Sequence, residues 1–443
     1  MKKLLFKWSE LKATFWFIPV IIIILAILLS VVLVYIDGLL NFSQEGLGRF
    51  FFVSSSDSAR SILTTISGAM MGVAGTVFSI TLVALTLASS QFGPRLIKNF
   101  MYVRLNQVVL GSYISTYLYC LLVLNAIKEG DNYNFIPSIS ILVAIIAAIT
   151  NIILLIVFIH QIAVSIQADK VVAEISEFIS KQVKTLFPEK MEDEKENNES
   201  IDPSAIISGY QNRIAIKSPK SGYFQYVDID ALLEIITKHD ALIQLHYRPG
   251  AHLVEDMEIG FLVTNGNWTE NELVKITDQF VIGRTKTSQQ DLEFSIHQMV
   301  EIAVRALSPG VNDPYTAIAC IDNLTATMSY LVQAKFPSKY RFDENDNLRI
   351  IADTLDFEGA LDAAFNQIRQ FSGGSPAVII RLMEAMITIH GFTRKENYNK
   401  AVIRHAEMIL RAGKETIKEK NDIDDLRTRA ESILINEGPL DTT

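Results

Sequence analysis

Cysteine is scarce in this chain, which has only Cys120 and Cys320 among its 443 residues. One lies in a long apolar stretch and the other in a polar region. The sequence therefore contains no disulfide framework of the kind that stabilises small secreted domains. Two buried apolar side chains are the simplest explanation of both thiols.

Motifs for nucleotide binding and for the common hydrolases are absent as well. The sequence has no GxxxxGK(S/T), no GxGxxG after a strand, no HExxH and no GxSxG. Neither cysteine has a neighbouring residue in the sequence that would make it a nucleophile. We therefore expect that the chain is not an enzyme and that it needs no cofactor.

Charged side chains are missing from four long windows of the sequence. Each window has enough residues, at about 1.5 Å per residue, to cross about 30 Å of hydrocarbon as a helix. The uncharged stretch around the fourth continues to Ala168, so we expect that helix to project from the membrane as a stalk. The four predicted spans are Thr14–Ile36, Ser61–Ser90, Leu105–Ile127 and Phe135–Gln161.

The charge that is present separates the chain into two parts. Residues 1–168 carry a net charge of +4 and residues 169–443 a net charge of −13, which together make the total of −9. This pattern indicates a membrane-embedded N-terminal third joined to an acidic, soluble remainder. It excludes a basic nucleic-acid-binding protein, so the lipid bilayer is an expected partner and nucleic acid is not.

The orientation follows from lysine and arginine in the short segments that flank the spans. Ten lie in the N-terminal tail, between spans two and three, or just after span four. Three, Arg49, Arg60 and Lys128, lie in the other two loops. Because cytoplasmic loops carry the excess of positive charge, we expect a multi-pass protein of the bacterial plasma membrane with both termini in the cytoplasm.

The predicted fold is a four-helix membrane domain followed by a cytosolic α+β domain. The α+β domain consists of a small β-rich module followed by a helical region. Short apolar and β-branched runs predict strands, and longer amphipathic runs predict helices. An acidic segment at residues 188–204 is typical of a linker. The predicted parts are residues 1–168 (membrane), 169–204 (stalk and linker), 205–268 (β-rich module) and 269–443 (helical region).

The predicted strands are Arg213–Lys217, Tyr223–Val227, Ala241–Tyr247, Glu258–Val263 and Leu348–Ala352. The predicted helices are Ile229–Lys238, Glu270–Phe280, Gln289–Leu307, Tyr315–Ala334, Phe357–Phe371, Pro376–Ile389, Lys395–Ala412 and Ile423–Ile435. Asp228 is a predicted N-cap, and Ser375 with Pro376 marks another helix start.

The second span has an unusual composition, because small and hydroxyl side chains recur at steps of three or four residues. Such residues share one face of a helix. The sequence Gly68-x-x-x-Gly72 lets helix backbones approach closely. Two interpretations stay open, a packing seam (inside the bundle or between subunits) and a pore-lining helix in a homo-oligomer. The face contains Thr65, Gly68, Gly72, Thr76, Ser79, Val83, Thr86 and Ser90.

A rigid loop, Ser308-Pro309-Gly310-Val311-Asn312-Asp313-Pro314, connects two predicted helices. Asn312 or Asp313 can cap the second helix, with Pro314 at its start, and this structural role is sufficient to explain the loop. The functional alternative is a polar site for a small ligand or an anion at the helix N-terminus. Its candidate residues are Arg284, Arg305, Ser308, Asn312 and Asp313, with Lys286 as a further source of positive charge.

Three potential metal ligands, Glu293, His297 and Glu301, lie at i, i+4 and i+8 on one predicted helix. That spacing places them on one face, where they could coordinate a transition metal. Glu301 and Arg305 also have the spacing of an i, i+4 ion pair on a solvated face. We expect no metal site here.

Three sequence blocks carry a resemblance to a known family. They are GAMMGVAGTVFSITLVALTLASSQFGPRL in span two, SGYFQ in the β-rich region and QDLEFSIHQMVEIAVRALSPGVNDPYTAI around the rigid loop. The chain resembles bacterial membrane proteins of domain of unknown function 2254. The resemblance implies an integral membrane protein with a large cytosolic domain, and it implies no catalytic residue.

Three classes of function remain open on the sequence. The first is a homo-oligomeric channel or transport-related protein, with span two at the path or seam and a regulatory cytosolic domain. The second is a membrane-anchored sensor or scaffold that binds a cytosolic ligand or partner. The third, which the sequence favours least, is a membrane-bound enzyme that acts near Arg284, Arg305 and Asp313.

Overall fold

The computed structural model describes residues 14–39, 55–93, 104–128, 135–165, 167–188 and 202–434. They divide between Lys170 and Val171 into two compact units. We call residues 14–170 the membrane unit and residues 171–434 the C-terminal unit. The lysines of the N-terminal tail, Arg95, Lys98 and most of the acidic segment at 188–204 lie outside the described residues.

Four helices of the membrane unit are long and apolar enough to cross a bilayer, which confirms the four predicted spans. The second begins before the predicted window, because Ser55 caps it by accepting a hydrogen bond from the Ser58 N–H at 3.1 Å. The fourth begins after Pro137 rather than at Phe135. The helices are α1 (Phe17–Leu39), α2 (Ser56–Phe92), α3 (Arg104–Ala126) and α4 (Ser138–Ser165).

A polar network lies in the interior of the membrane unit, centred on the buried Asn151 of α4. Its side-chain amide donates to the Thr116 hydroxyl at 2.8 Å, and its amide oxygen accepts from the Ser112 hydroxyl at 2.6 Å. The Tyr113 hydroxyl donates to the Asn151 carbonyl at 2.7 Å. These bonds connect α3 to α4 where hydrocarbon offers no other partner for polar groups.

All but the first three residues of α5 (Ala168–Leu186) belong to the C-terminal unit, and this amphipathic helix has buried residues at helical spacing, including Val172, Ile175 and Ile179. Its end contacts the rest of the unit, because the Tyr330 hydroxyl donates to the Phe187 carbonyl at 3.2 Å. The rings of Phe187 and Phe336 also pack 4.8 Å apart. This end of α5 is therefore part of the C-terminal unit rather than a free stalk.

Two sheets lie in the C-terminal unit, one of five strands in the order β1-β5-β3-β8-β7 and one of three in the order β4-β2-β6. Most neighbours are antiparallel, whereas β3 and β8 are parallel, with Leu245 beside Ala352. The strands are β1 (Asn212–Lys217), β2 (Gly222–Val227), β3 (Leu242–Leu245), β4 (His252–Leu253), β5 (Glu258–Thr264), β6 (Phe280–Gly283), β7 (Tyr340–Phe342) and β8 (Leu348–Ala352).

The helix predicted at Glu270–Phe280 is wrong at its end, because it stops at Thr277 and Phe280 begins β6. Phe280 and Ile282 are buried in the core beside Phe224, so tertiary packing overrides the helical pattern. β6 and β7 come from parts of the chain where no strand was predicted, whereas β8 has the bounds of the strand predicted at Leu348–Ala352. Strands on either side of the predicted boundary at residue 268 therefore pair with each other, because β3 lies before this residue and β8 lies after it.

Helices make up most of the remaining C-terminal unit. Ile229–Lys238 and Phe357–Phe371 have their predicted bounds, and Asp228 caps the former as predicted. Ser375 is an N-cap position, with Pro376 in the first turn. The helices are α6 (Pro203–Ser208), α7 (Ile229–Lys238), α8 (Glu270–Thr277), α9 (Leu292–Ala306), α10 (Pro314–Leu331), α11 (Phe357–Phe371), α12 (Pro376–His390), α13 (Glu396–Thr416) and α14 (Lys420–Leu434).

Candidate functional site

The small-residue face of α2 points away from the other helices of its own chain. A Cβ atom built on Gly68 or Gly72 would meet nothing within 4 Å. The opposite side of α2 is buried and includes Leu63, Met70 and Val77. The exposed positions are Thr65, Gly68, Gly72, Thr76, Ser79, Val83, Thr86 and Ser90.

This placement corrects one of the interpretations of span two. A packing seam inside the four helices of one chain would bury the face, and the described residues leave it exposed. A seam between subunits and a polar path through the membrane both require a face that its own chain does not cover. These two interpretations remain.

The hydroxyl groups on this face bond to their own helix. Thr76 and Ser79 donate to the carbonyls of Gly72 and Gly75 at 3.3 and 2.9 Å. Thr65 and Thr86 donate in the same way, four residues back along the helix. Because the hydrogens are used internally, each oxygen presents acceptor lone pairs outward.

The outward face of α2 differs from those of its neighbours. The exposed side chains of α1 and α4 are almost all large and aliphatic, as expected where a helix contacts lipid tails. On α2, large side chains such as Phe78 and Leu82 flank a stripe of glycine, serine and threonine. The aliphatic surfaces include Ile24, Leu25, Leu28, Val31 and Val32 of α1, and Ile149, Ile152, Ile153, Ile156 and Ile159 of α4.

The rigid loop between α9 and α10 is held by local hydrogen bonds. The Ser308 carbonyl accepts from the N–H groups of Val311 and Asn312 at 3.0 and 2.9 Å. Asn312 has a positive φ of 50°. Of the two predicted cap residues, Asn312 and Asp313, it is Asp313 that caps α10, and its two carboxylate oxygens accept from the N–H and hydroxyl of Thr316. This turn and cap account for the Ser308 carbonyl and the Asp313 carboxylate.

The structure brings only part of the predicted polar site together. Ser308 donates its hydroxyl hydrogen to the Arg305 carbonyl at 2.6 Å, so these two residues lie beside the loop. Arg284 follows β6, where its neighbour Thr285 accepts a bond from Gln225. Arg284 therefore lies before the start of α9 along the chain, and the loop lies after its end. α9 has 15 residues and is about 22 Å long.

One of the three potential metal ligands on α9 forms an ion pair. Glu293 forms an ion pair with Arg248, at 2.6 Å between Oε2 and Nη2. Among the residues that the structure describes, no group of three or more histidine, cysteine, aspartate or glutamate side chains is placed to hold a metal ion.

A pocket of about 290 Å³ in the C-terminal unit was not anticipated from the sequence. It opens where the parallel strands β3 and β8 end, at Leu245 and Ala352. The end of α5, the start of α9 and the chain before β7 complete its walls. Apolar side chains such as Phe187, Leu292 and Leu355 supply much of the lining.

The charged side chains of this pocket fall into two groups. Arg248 is shared between Glu293 and Asp353, the latter at 3.0 Å, and its single positive charge compensates one of their two negative charges. Burial would lower the pKa of Arg248, but its bonds to Glu293 and Asp353 outweigh this effect and raise it. Arg248 therefore stays ionised in the folded chain.

Arg341 and Asp291 form the second group. The Arg341 guanidinium donates to the carbonyls of Ser338 and Tyr340, and no carboxylate pairs with it in the described part of the chain. Burial lowers the pKa of Arg341. Asp291 caps α9 through Oδ1, while its Oδ2 is buried without a hydrogen-bond partner, and burial raises the pKa of this carboxyl.

Sequence reasoning missed this pocket because its charged residues are far apart along the chain. Arg248 and Glu293 are 45 residues apart, and Arg248 and Asp353 are 105 apart. One local signal was present: Arg248-Pro249-Gly250 is a turn that follows a strand. Gly250 has a φ of 103°, and a Cβ there would collide with the Asp291 carboxylate.

Four membrane-crossing helices followed by an α+β unit define a multi-spanning membrane protein with a large C-terminal domain. Residues 12–388 match the family model described as "Predicted membrane protein (DUF2254)". The chain belongs to this family, which confirms the resemblance seen in its three sequence blocks.

Relatives occur in mycobacteria. An uncharacterised protein of Mycobacterium bovis is 28% identical over 379 residues, which cover 84% of this chain and 72% of the relative. An uncharacterised protein of Mycobacterium tuberculosis matches with the same identity and coverage. No solved structure matches the chain significantly.

Proposed function

We propose that the protein is a homo-oligomeric channel or transport-related protein of the bacterial plasma membrane. In this proposal α2 lies where subunits meet and along the path across the membrane. The C-terminal unit regulates the path from the cytoplasm. The observation that carries the proposal is the contrast between the outward faces of α2 and of its neighbours α1 and α4.

The contrast supports self-association for a physical reason. Lipid tails are as apolar as leucine, so membrane helices associate through close van der Waals packing and polar contacts, which small residues permit. Gly68 and Gly72 offer such a surface, because a Cβ built on either would meet no atom of the described residues within 4 Å. A second copy of the chain is the partner that we propose for them.

The hydroxyl groups support a polar path along the same face. Channel walls replace part of the hydration shell of an ion with oxygen dipoles. Thr76 and Ser79 donate inward, so their oxygens can accept from water or face a cation. In contrast to voltage sensors, the described residues of α2 between Ser61 and Ser90 carry no charge.

The proposed orientation has both termini in the cytoplasm. It rests on the excess of lysine and arginine in the segments assigned to that side. The net charge of −13 on residues 169–443 would then lie in the cytoplasm, and it supports neither nucleic acid nor an anionic membrane surface as a partner of that region.

Cysteine cross-linking tests the proposed subunit contact. In a chain with Cys120→Ser and Cys320→Ser, we expect oxidation to join Thr76→Cys subunits into covalent dimers in membranes. Ile153→Cys, on the aliphatic surface of α4, is the matched control and should remain monomeric. No cross-link at Thr76, or equal cross-linking at both positions, would contradict the subunit contact.

Conductance tests the path separately. The purified protein in planar bilayers should conduct ions, and Ser79→Leu should change the conductance because it replaces a dipole with an aliphatic group. Ile153→Leu should leave the conductance unchanged. If the oligomer forms and the bilayers stay silent, α2 is a subunit seam and the channel proposal fails.

A second candidate function is a membrane-anchored sensor that binds a cytosolic ligand. The pocket at the ends of β3 and β8 favours it, because the pocket is partly apolar and contains the unpaired cation of Arg341. Ligand binding without conductance, measured on the same preparation, would favour the sensor over the channel.

We propose no catalytic reaction for this chain. An enzyme near the rigid loop would need Asp313 to act on a substrate. Both carboxylate oxygens of Asp313 already accept bonds from Thr316 in the cap of α10. Loss of a measurable activity in Asp313→Asn, with folding intact, would overturn this assignment.

A further inference from the structure

We propose that the pocket in the C-terminal unit binds a small carboxylate with an apolar body, and that Arg341 pairs with the carboxylate group. This inference does not depend on the role of α2. It assigns a ligand class to a site formed by the ends of α5, β3 and β8 and by the start of α9.

The position of the pocket supports a binding site. In sheets with parallel strands, ligands bind in the crevice outside the carboxyl ends of the strands, where the chain leaves in different directions. The ends of β3 and β8 lie side by side here, since Leu245 is the register partner of Ala352. The chain turns away from both ends, through Tyr247 and through Asp353, and both residues line the pocket.

Arg341 supplies a local positive charge to the pocket. Glu293 and Asp353 share Arg248, which compensates one of their two negative charges. Asp291 is 4% exposed and serves as the cap of α9, so it offers little accessible charge. Arg341 is the pocket arginine that lacks a carboxylate partner within the described chain.

The geometry of Arg341 leaves it able to bind a ligand. Both of its hydrogen bonds to carbonyls come from Nη1, which leaves Nη2 and Nε without a bonded partner in the described chain. A guanidinium binds carboxylates through two parallel N–H groups, and the pair is stronger where water is partly excluded. The lowered pKa of Arg341 shows that burial penalises the uncompensated cation.

The size and lining of the pocket define the rest of the ligand. A volume of about 290 Å³ is at the low end of the range for small-molecule sites, which is about 300–1,000 Å³. Leu186, Phe187, Leu292 and Leu355 line it, so the body of the ligand is apolar. Leu186 is the last residue of α5 and Phe187 follows it, so the ligand contacts the end of this helix.

Binding by the full chain in detergent tests the proposal. The probes are octanoate, 3-phenylpropionate and indole-3-propionate, each beside the amine and the primary amide of the same body. We expect at least one carboxylate to bind at about millimolar concentration in calorimetry, as befits ligands of this size. Its amine and amide should bind at least about tenfold more weakly, because the amine is a cation and the amide offers a single neutral acceptor in place of a charged carboxylate.

Two variants assign the site. Arg341→Gln should weaken binding of that carboxylate at least about tenfold, whereas Arg427→Gln, an exposed arginine of α14, should not change it. Ala352→Leu should also weaken binding because it fills the pocket and leaves Arg341 in place. Unfolding temperatures of all variants show whether each one is folded.

Three results would overturn the proposal. None of the three carboxylates binds, or the amines bind as tightly as the carboxylates, or folded Arg341→Gln and Ala352→Leu both bind like the parent chain. If Arg341→Gln does not fold, Ala352→Leu alone decides the location of the site.

Discussion

Asp37, near the end of α1, is bonded to Ser140 at the start of α4. One oxygen of the buried Asp37 carboxylate accepts from the Ser140 hydroxyl at 2.6 Å and from its N–H at 3.0 Å. The other accepts from the Ile139 N–H at 2.9 Å. The carboxylate thus satisfies N–H groups that have no acceptor within α4, at the positive end of the helix dipole.

Removal of this carboxylate should destabilise the membrane unit. We expect Asp37→Ala to cost about 1–3 kcal/mol, because it leaves the buried donors of Ile139 and Ser140 unpaired. The apparent unfolding temperature in detergent measures the effect. Asp57→Ala, an exposed carboxylate in the first turn of α2, is the control and should have a much smaller effect. Equal losses in both variants would contradict this account.

The same substitution at two glycines of the membrane unit should have different effects on stability. A Cβ on Gly111 of α3 would lie 2.9 Å from Pro19 Cα, so Gly111→Ala should separate α1 from α3 and cost about 1–3 kcal/mol. The added Cβ of Gly72→Ala meets no atom of the described residues within 4 Å, so this substitution should leave the monomer as stable as before.

The proposed subunit contact also predicts how variants of these two glycines affect self-association. Gly72→Ala and the bulkier Gly72→Leu should weaken self-association in that order, while Gly111→Ala should act mainly on unfolding. Sedimentation in detergent measures association, and thermal unfolding of the same samples measures stability. Unchanged association in Gly72→Leu would contradict a contact through this face.

Gly260 of β5 should be irreplaceable in the five-stranded sheet. A Cβ there would collide with the Gln244 carbonyl of β3, closer than real Cβ atoms approach any atom. Gly260→Ala should therefore cost at least about 1–3 kcal/mol, measured as a loss in the unfolding temperature. Gly266→Ala should have little effect, because its nearest neighbour would be Thr264 Oγ1 at an ordinary 3.7 Å.

His405 should make the C-terminal unit sensitive to acid. Its ring is fully buried on α13, and Nε2 lies 2.7 Å from Asp362 Oδ1. Burial lowers the pKa of His405 from its usual 6.5, and the bond to Asp362 opposes this only in part. Between the lowered folded-state pKa and 6.5, the unfolded chain binds the proton more readily than the folded chain.

The stability that His405 contributes is therefore fully present above about pH 6.5 and is lost as the pH falls toward its folded-state pKa. We expect the unfolding temperature of the parent chain to fall between about pH 7.5 and about pH 5.5 by more than that of His405→Gln. His252→Gln changes an exposed ring and should keep the slope of the parent chain. Parallel slopes for the parent chain and His405→Gln would contradict the assignment.

The local parts of this fold could be predicted from the sequence because they depend on neighbouring residues. Uncharged windows of sufficient length predicted the four membrane helices. Helical spacing placed Thr65, Gly72 and Thr76 on one face, and that face exists. The cap by Asp313 depends on bonds to a residue three positions away, so it was also predictable.

The distant contacts could not be predicted in this way. The sequence pattern continued the helix at Glu270 through Phe280, whereas packing against Phe224 turned Phe280 into a strand residue. No periodicity connects β3 to β8, and their pairing creates the pocket edge at Leu245 and Ala352.

By itself, the sequence determined that the chain crosses a membrane, where its four membrane helices lie and which residues share the small-residue face. Apolar length and helical periodicity are sufficient for these features, because both are properties of consecutive residues. Only the tertiary structure decided that the face is turned away from its own chain. Only the tertiary structure placed Arg341 beside a largely apolar pocket, where no carboxylate of the described residues pairs with it. Both features depend on which distant segments come to pack together, and that choice is made by burial over the whole unit rather than by any local pattern.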